Sequence, residues 1–362
     1  MKDIKTLGVL TSGGDCAGLN AVIRAVTYHA NLVCGWRVLG ILDGSLGLME
    51  KPPRYRELRA DSFDVGLLRE GGTFLGTTNK GDPFRFPQPD GSFRDRSEDF
   101  AAGVRELGLD ALVVIGGDGS MRIMSRLCDH AGIGMVGVPK TIDNDVHGTE
   151  YAVGFASAIG VVTDALDRLQ PTAASHHRVM ILETMGRDTG HIALNGGIAG
   201  GADVVLVPEL PYSLDGLVKH LRRVLSQGRS HALLVVAEGV KTEDGKYATI
   251  NLPGEQKRYG GIGYYLEREI GQRLGAETRV TVLGHLQRGG RPSPRDRILA
   301  SAFGVHAVRL VGERRFSRMV AWQDRGVVDV PLSDVTVGSR LLQPDEPLIA
   351  TARGVGIYVG DV

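Results

Sequence analysis

The chain has 362 residues, of which 42% are hydrophobic and 23% are charged, a composition typical of a globular enzyme with one or two domains. Lysine plus arginine number 42, and aspartate plus glutamate also number 42, so the formal net charge is zero. This balance argues against bulk electrostatic binding to nucleic acid or to an anionic membrane. No apolar run approaches the ~20 residues that span a bilayer.

Only three cysteines occur, Cys16, Cys34 and Cys128, and their spacing is not that of metal ligands. The segment Met1–Leu10 has no apolar signal region. We therefore expect a reduced, cytoplasmic protein. Cys16 stands in a glycine loop where a thiol can be reactive, but a small residue that fills a small space is the favoured interpretation.

Short apolar strands alternate with amphipathic helices from the start of the chain. The predicted strands are Leu7–Leu10, Val38–Leu42, Ala111–Ile115, Met135–Val138, Val179–Glu183, Val204–Val207, Leu233–Ala237 and Val280–Leu283. The predicted helices are Leu19–Leu32 and residues 97–108, 120–131, 155–169, 214–226, 258–274 and 295–312. Glycine-bounded apolar strands separated by helices predict a mostly parallel sheet covered on both faces. The number of strands predicts two α/β lobes with shared crossing segments, and residues 313–362 are expected to be β-rich.

The segment Thr11–Asp15 reads Thr-Ser-Gly-Gly-Asp and lies between the first strand and a helix. The backbone N–H groups of such a turn can hold phosphate, although many strand–turn–helix units contain glycines. The segment is not a dinucleotide-binding fingerprint, which needs a third glycine at fixed spacing. Residues Gly134–Thr141 resemble a Walker A loop, but Pro139 replaces its last glycine and has no N–H to donate, so we reject a P-loop.

Two further strands run into acidic residues. Residues 112–120 read Leu-Val-Val-Ile-Gly-Gly-Asp-Gly-Ser, and residues 138–145 read Val-Pro-Lys-Thr-Ile-Asp-Asn-Asp. If these strands are neighbours in a parallel sheet, Asp118 and Asp143 lie at its ligand-binding edge. Asp118 beside glycines suits magnesium and phosphate, with a plain turn as the equal alternative. Asp143 suits proton abstraction from a hydroxyl, with a solvated Asx turn as the alternative, and the charge of Lys140 favours the phosphoryl-binding interpretation.

Basic residues follow several of the later strands and turns. They are Arg178, Arg187, Arg279, His285 and Arg288. Guanidinium groups match phosphate oxygens in shape and charge, so this set suits a sugar phosphate. Glu238 would accept hydrogen bonds from sugar hydroxyls. Together with the two carboxylates, these residues predict phosphoryl transfer.

Six segments, spread in order over roughly residues 5–310, resemble the phosphofructokinase family. They are Thr-Ser-Gly-Gly-Asp (11–15), Gly-Gly-Thr-Phe-Leu-Gly (71–76), Gly-Gly-Asp-Gly-Ser (116–120), Pro-Lys-Thr-Ile-Asp-Asn-Asp (139–145), Met-Gly-Arg (185–187) and Gly-His-Leu-Gln-Arg-Gly-Gly (284–290). The resemblance implies two interleaved Rossmann-like α/β lobes of three layers. We place a donor lobe at residues 1–154 with about 287–337, and a sugar-phosphate lobe at 155–286 with about 338–362.

The resemblance also implies an activity and an assembly. The enzyme would phosphorylate fructose 6-phosphate at its 1-hydroxyl, with magnesium, as a step of glycolysis. It would be a homodimer or a homotetramer whose active sites lie at subunit contacts.

Individual roles follow from the matching positions. Asp143 resembles the general base, and Lys140 and Arg187 are further catalytic candidates. The donor site matches Gly14, Asn79, Lys80, Asp118, Gly119 and Ser120, with Asp118 as the metal ligand. The sugar-phosphate site matches Thr141, Asp143, Met185, Gly186, Arg187, Glu238, His285 and Arg288. Arg178 and Arg279 match the arginines that a neighbouring subunit contributes.

Two positions give opposite indications of the phosphoryl donor. In the family, the residue after the magnesium aspartate is glycine in ATP enzymes and aspartate in pyrophosphate enzymes, and here it is Gly119. The residue before Thr-Ile-Asp-Asn-Asp is glycine in ATP enzymes and lysine in pyrophosphate enzymes, and here it is Lys140. We give Gly119 the greater weight, because the lack of a repelling carboxylate directly permits the α-phosphate of ATP.

The chain departs from the family pattern at two other places. ATP enzymes typically carry an arginine after Gly-Thr (76–77), whereas this chain has Thr78-Asn79-Lys80, so Lys80 or Lys140 is expected to supply that charge. At the regulatory nucleotide site Arg24 is kept, but Tyr28 and Gln170 replace arginines, so we do not expect regulation by ADP or phosphoenolpyruvate.

Three alternatives stay open on the sequence alone. The first is a reversible, pyrophosphate-dependent phosphofructokinase. The second is a non-catalytic paralogue that binds sugar phosphates. The third concerns the acceptor, because sedoheptulose 7-phosphate carries an end similar to that of fructose 6-phosphate.

Overall fold

The computed structural model describes residues 3–79, 81–250 and 258–361. Lys80, one of the predicted donor-site residues, lies outside the described residues. The chain divides into two compact units. The first consists of Met1–Ser157 and Arg288–Gly338, and the second of Ala158–Gln287 and Ser339–Val362.

Strands and helices alternate through most of the chain. The strands are β1 (Thr6–Thr11), β2 (Arg37–Ile41), β3 (Tyr55–Leu58), β4 (Phe86–Pro87), β5 (Phe93–Arg94), β6 (Ala111–Gly116), β7 (Gly134–Thr141), β8 (Val153–Gly154), β9 (Val179–Thr184), β10 (Val204–Leu206), β11 (Ala232–Ala237), β12 (Thr249–Ile250), β13 (Arg258–Tyr259), β14 (Thr278–Val282), β15 (Arg318–Gln323) and β16 (Gly326–Pro331). The α-helices are α1 (Leu19–Leu32), α2 (Ser45–Met49), α3 (Ser97–Glu106), α4 (Asp118–Ala131), α5 (Phe155–His176), α6 (His191–Ala199), α7 (Leu214–Ser226), α8 (Ile262–Leu274), α9 (Pro294–Gly312), α10 (Leu332–Val335) and α11 (Pro347–Gly354).

The first unit is built on an eight-stranded sheet of order β16-β15-β7-β6-β1-β2-β3, with β8 paired to β7. The central strands are parallel, and the edge strands β3 and β16 are antiparallel to their neighbours. Every residue of β6 is buried, as expected for a strand covered on both faces. In the core, Leu39 and Leu112 of the sheet pack with Phe100, Met121 and Met124 of the helices. The predicted mostly parallel α/β architecture is confirmed.

The second unit contains a parallel sheet of order β10-β11-β9-β14. All residues of β9 and β11 are buried. Helix α7 buries Leu217, Leu221 and Val224, which lie on one face at helical spacing. The helices and sheet of this unit therefore form a core of their own.

The predicted elements all occur, and the differences lie at their ends. Helix α5 continues through Pro171 to His176, beyond the predicted end at residue 169. The buried Ala173 packs the last turns into the unit, so tertiary packing outweighs the missing N–H. Helix α8 begins at Ile262 and not at 258, because Gly260 and Gly261 have φ angles of 138° and 94°, outside the helical region.

The expectation of a β-rich segment at residues 313–362 is only partly correct. Strands β15 and β16 are followed by helices α10 and α11. The last residues return to the second sheet, where Val205 N donates to Tyr358 O at 2.9 Å and Tyr358 N donates to Asp203 O at 3.0 Å. Among the described residues, none of the helices combines the length and apolar character that crossing a bilayer demands.

Candidate active site

Three loops of the first unit follow strands that are neighbours in its sheet. Strand β1 pairs in parallel with β6, and β6 pairs in parallel with β7. Parallel strands end at the same edge, so the loops after β1, β6 and β7 all leave this one edge. The prediction that the strands before Asp118 and Asp143 are neighbours is confirmed by the pairing of Ile115 with Val138.

The loop after β1 is fixed by hydrogen bonds to its backbone. Gly13 N donates to Thr78 O at 2.9 Å, and Thr77 Oγ1 donates to Gly13 O at 2.7 Å. Gly13 has a φ of 84°, which favours glycine. A Cβ on Gly14 would lie 2.5 Å from Nη1 of Arg288. The conformation of Gly13 therefore favours glycine, and a side chain at Gly14 would displace the guanidinium group of Arg288.

Lys140 and Arg288 both donate hydrogen bonds to backbone carbonyl oxygens of the same loop. The Lys140 side chain, only 4% exposed, donates from Nζ to the carbonyl oxygen of Gly14. Arg288 Nη1 donates to the carbonyl oxygen of Asp15 at 2.9 Å. Burial lowers the pKa of Lys140, and the nearby charge of Arg288 lowers it further. Arg288, predicted as a sugar-phosphate residue, is thus placed against the loop that was predicted to bind the donor.

Asp118 is the first residue of helix α4, and Gly119 follows it in the first turn. The helix dipole favours negative charge at this end, which suits a phosphate group. A Cβ on Gly116 would lie 2.6 Å from Cβ of Ser120, whereas a Cβ on Gly119 would meet nothing within 4 Å. Packing among the described residues therefore requires Gly116 but does not require Gly119.

The turn after β7 is organised by its central asparagine. Asn144, which is 4% exposed, has a φ of 53°. Its Nδ2 donates to Glu150 O at 2.9 Å, and its Oδ1 accepts from Ala152 N at 2.8 Å. Asp143 N donates to Thr141 Oγ1 at 3.1 Å. Asn144 therefore shapes the turn, and it leaves Asp143 and Asp145 half-buried on either side.

In the second unit, the loops after β9 and β11 meet at the carboxyl edge of the sheet. Thr184 pairs with Ala237 at the ends of the two strands, and Gly239 N donates to Gly186 O at 3.1 Å. A Cβ on Gly239 would clash with the carbonyl oxygen of Arg187. The structure thus brings Met185, Gly186, Arg187 and Glu238 to neighbouring strand ends.

The turn that carries His285 joins this group. Leu283 N donates to Glu183 O at 3.0 Å, which extends the pairing of β14 with β9. Gln287, only 1% exposed, accepts from Met185 N through Oε1 at 2.6 Å. The exposed side chain of His285 lies in the short 3₁₀ turn between these two anchors. Gln287 had no predicted role, although it belongs to the segment Gly-His-Leu-Gln-Arg-Gly-Gly.

Arg178 and Arg279 lie at the other edge of this sheet. Arg178 directly precedes β9, and Arg279 is the second residue of β14. Both contact one carboxylate, since Glu277 Oε1 lies 2.9 Å from Nη2 of Arg178 and 2.6 Å from Nη2 of Arg279. At about 3.3 Å per residue, a strand of five or six residues keeps these arginines away from Arg187 and Glu238. Within one chain the predicted sugar-phosphate residues of this unit form two separate groups.

Asn79 and Cys16, two further residues considered in the sequence analysis, differ in burial. Asn79 is exposed beside Thr78, which anchors the loop after β1. Cys16 is fully buried, and burial raises the pKa of its thiol to about 12. The full burial of Cys16 agrees with its interpretation as a small packing residue.

Two buried acidic residues, Asp296 and Glu183, had no predicted role. Asp296 is fully buried and accepts from Gly154 N at 3.0 Å and from Ser157 N at 2.7 Å. Glu183 is 2% exposed and accepts from Gly263 N at 2.8 Å. Burial raises the pKa of both carboxyl groups. Each satisfies backbone N–H groups at a helix start, and no local sequence pattern indicates such distant partners.

Comparison with known proteins agrees with this geometry. The family described as Phosphofructokinase matches residues 6–311. The chain is 55% identical to ATP-dependent 6-phosphofructokinase 1 of Nostoc sp. over 361 residues, with 100% of both chains covered. It is 54% identical to ATP-dependent 6-phosphofructokinase 1 of Synechocystis sp., again with 100% of both chains covered.

Solved structures show the same similarity. Pichia pastoris phosphofructokinase has a TM-score of 0.80 and 31% identity, over 93% of this chain. This chain spans 38% of the length of the Pichia chain. The pyrophosphate-dependent phosphofructokinase of Nitrosospira multiformis has a TM-score of 0.81 at 21% identity, over 99% of this chain and 93% of that one, which shows a shared fold. The chain belongs to the phosphofructokinase family.

Proposed function

We propose that this protein is an ATP-dependent 6-phosphofructokinase of glycolysis, which converts fructose 6-phosphate to fructose 1,6-bisphosphate. The names of the relatives at 54% and 55% identity support this activity. One structural observation carries the proposal: an acidic residue follows each of two neighbouring parallel strands, Asp118 after β6 and Asp143 after β7. Such an edge suits a donor phosphate beside an acceptor hydroxyl.

In the reaction, the Asp143 carboxylate accepts the proton of the sugar 1-hydroxyl. The hydroxyl oxygen then forms a bond to the γ-phosphorus of ATP, and the bond from that phosphorus to the β–γ bridging oxygen breaks to release ADP. Positive charge stabilises the transferring phosphoryl group, and we assign this charge to Lys140 and Arg187. Phosphoryl transfer depends chiefly on positioning and charge neutralisation. The pairing of Lys140 with the Gly14 carbonyl supports a fixed position for its charge.

The residues around Asp118 fit a magnesium ion that arrives with the nucleotide. Magnesium in kinases is held by one or two carboxylates, together with substrate phosphates and water. The described residues contain no cluster of three or more histidine, cysteine, aspartate and glutamate side chains that could hold a metal, so one carboxylate with open space beside it is the fitting arrangement. When bound, the ion would neutralise the phosphate charge. We assign the donor nucleotide to Gly14, Asn79, Lys80, Asp118, Gly119 and Ser120.

The sugar phosphate is assigned to two groups of residues. They are Thr141 with Arg288, and Met185, Gly186, Arg187 and Glu238 with His285. The hydrogen bond from Met185 N to Gln287 supports a common location for the loops that carry Met185 and His285. Glu238 would accept hydrogen bonds from sugar hydroxyls, and the basic side chains would bind the 6-phosphate.

Arg178 and Arg279 are assigned to the active site of a second copy. Their position at the edge of the sheet away from Arg187 supports this assignment, because one chain does not bring them to its own sugar-phosphate residues. The active enzyme is therefore at least a homodimer. We also propose a cytoplasmic location, which the free thiols of Cys16, Cys34 and Cys128 support.

A pyrophosphate-dependent enzyme is the second candidate, and Lys140 is the residue that favours it. The burial of Lys140 and its bond to Gly14 support a role in shaping the loop, which an ATP enzyme also needs. Gly119 supports ATP, because it brings no carboxylate that would repel the α-phosphate, and among the described residues a Cβ at this position would meet nothing within 4 Å.

The test is a donor swap at fixed fructose 6-phosphate. A coupled assay should show magnesium-dependent turnover with ATP and at least ~10²-fold lower kcat/KM with pyrophosphate. Equal or preferred use of pyrophosphate would contradict the choice of donor. Binding of fructose 6-phosphate without turnover on either donor would contradict the enzymatic proposal. A second assay with sedoheptulose 7-phosphate identifies the preferred acceptor.

A further inference from the structure

The second unit contains a cavity that the proposed reaction does not use. Residues 353–360 run beside β10, where Tyr358 forms a parallel bridge with Val204. Helix α7 and these C-terminal residues line a cavity of about 700 Å³. Small-molecule sites in proteins typically measure about 300–1,000 Å³. None of the residues that line this cavity belongs to the catalytic or substrate-binding set.

The cavity is lined by three cations. Lys219 and Arg223 are four residues apart and therefore lie on one face of α7, and Arg353 comes from α11. In the part of the chain that the structure describes, none of these three side chains forms an ion pair. The nearby Arg229 and Arg273, by contrast, are neutralised by Asp203 and Asp215. The positive charge is thus concentrated in the cavity.

One of these cations is held in position by a buried histidine. Arg223 Nη2 donates to Nδ1 of His220 at 3.1 Å. His220 is 9% exposed, and its ring packs against Tyr358 with ring centroids 5.7 Å apart. Burial lowers the pKa of His220, and Arg223 lowers it further, so the imidazole is neutral at pH 7 and can accept this bond. Arg223 is therefore oriented before any ligand arrives.

A carboxylate at one end of the cavity is already engaged. Asp361 Oδ1 accepts from the Tyr358 hydroxyl at 2.6 Å. The same oxygen would lie 2.5 Å from a Cβ on Gly216, which places it at the Gly216 end of the cavity. One carboxylate at that end does not balance three cations, and a net positive charge remains.

We propose that this cavity binds a small molecule that carries a phosphate group. Guanidinium forks match phosphate oxygens, and a lysine adds charge without a fixed geometry. A dianionic phosphate is the simplest ligand that compensates the excess charge. The cavity is also larger than one phosphate ion needs, and the ring of Tyr358 lines part of it, so it has room for the organic portion of a phosphate ester.

The experiment is a calorimetric titration of the full-length enzyme at constant ionic strength. Inorganic phosphate, glycerol 3-phosphate and adenosine 5′-monophosphate are titrated separately into wild type and into the double variant Arg223→Ala/Arg353→Ala. The control is Arg222→Ala, because Arg222 also lies on α7 but is bonded to Arg273 O and does not line the cavity. Phosphate binding at the active site is common to all three proteins.

For at least one probe, the double variant should bind at least ~10-fold more weakly than wild type or lose one site per chain, since it lacks two charge-assisted contacts. Arg222→Ala should match wild type. Inorganic phosphate as the tightest probe would identify the free ion, and either ester as the tightest would identify an organic phosphate. Identical isotherms in wild type and the double variant for all three probes would overturn the proposal. If the double variant does not fold, the exposed Lys219→Ala variant replaces it and should weaken binding of the same probe, by less than the double variant because it lacks one cation and not two.

Discussion

The buried ammonium of Lys140 donates to the carbonyl oxygen of Gly14 and so ties β7 to the loop that follows β1. Lysine is seldom buried without a partner. Here the partner is the backbone oxygen of Gly14, whose Cα lies against the guanidinium group of Arg288. The same residue thus contributes a charge and fixes the backbone of the proposed donor loop.

Substitution of Lys140 should separate these two contributions. Lys140→Met removes both the charge and the bond, and we expect kcat with ATP to fall ~10–100-fold, since a charge-assisted hydrogen bond contributes roughly 1.5–3 kcal/mol. Lys140→Gln keeps a donor for Gly14 O, so it should unfold at a temperature closer to that of wild type, while its kcat stays low. The measurements are steady-state kinetics and thermal unfolding. Wild-type kcat in Lys140→Met would refute a catalytic charge at this position.

Asp143→Asn should abolish most turnover. The amide cannot accept the proton of the sugar hydroxyl, so we expect kcat to fall by ~10²–10⁴-fold, with KM for fructose 6-phosphate changed by only a few-fold. The control is Asp129→Asn, which removes the same charge from an exposed site on α4. Initial-rate assays with ATP test this. A variant that keeps normal kcat would eliminate Asp143 as the base.

Gly119→Asp should act on the donor and leave the fold intact. The new side chain would enter open space, so the unfolding temperature should change little. Its carboxylate would repel the α-phosphate of ATP, and kcat/KM for ATP should fall at least ~10²-fold while activity with pyrophosphate is less affected. The asparagine side chain of Gly119→Asn has nearly the same size without the charge, so this variant should lose much less of its kcat/KM for ATP. Equal losses in both variants would assign the effect to size.

Mixing two inactive variants should restore activity if the active sites are shared. Arg279→Ala and Asp143→Asn should each be nearly inactive alone. In a mixed dimer, one site receives both substitutions and the other receives neither, so co-expression or refolding of the mixture should recover up to about half of the wild-type activity per dimer. Two Asp143→Asn preparations with different tags, mixed in the same way, provide the control. No recovery in isolated mixed dimers would place Arg279 in the site of its own chain.

Stability should fall in mild acid through His191. This residue is 5% exposed, its Nε2 donates to Arg340 O at 3.1 Å, and burial lowers its pKa to about 4. An unfolded histidine has a pKa near 6.5, so the unfolded state binds more protons between pH 6.5 and pH 4, and the folded state loses stability as the pH falls through this range. A pKa difference of this size between the folded and unfolded states corresponds to about 3 kcal/mol in the free energy of unfolding.

Urea unfolding at pH 7, 5.5 and 4.5 measures the effect. As the pH falls, the free energy of unfolding of wild type should decrease more steeply than that of His191→Gln, which has no titrating group at this position. At pH 7, His191→Gln should be the less stable of the two proteins. The variant His176→Gln changes an exposed histidine at the end of α5 and should follow wild type. Parallel pH profiles for wild type and His191→Gln would show that His191 is not responsible.

Local pattern was sufficient to predict the eight strands and seven helices named in the sequence analysis, and the sheet edge at which the loops of Asp118 and Asp143 lie, but it did not predict β3 or α6. It failed where a backbone conformation or a distant partner decides the outcome. Strand β7 extends past the apolar residues to Thr141, because Lys140 pairs with Val153 of β8. The roles of Asn144, Gln287 and Asp296 rest on side-chain bonds to backbone atoms of other segments, and Asp296 reaches residues about 140 positions away. The spacing of residues along the sequence does not indicate such contacts.

The resemblance of six segments supplied the residue roles, whereas the structure supplied their grouping. Arg288 was grouped with the sugar-phosphate residues, yet its guanidinium contacts Asp15 in the loop after β1. Arg178 and Arg279 are 101 positions apart and come together through Glu277. A sequence alone does not reveal that one carboxylate joins them.

That shared carboxylate has a consequence for the way a substrate enters. Glu277 supplies one negative charge between two guanidinium groups, so a phosphate that binds both arginines, as proposed for the site of a second copy, has to compete with a tethered anion. A monoanion offers no more charge than the glutamate it displaces, whereas a dianion does. Under the proposed role of these arginines, Glu277 favours a dianionic phosphate ester over singly charged ligands.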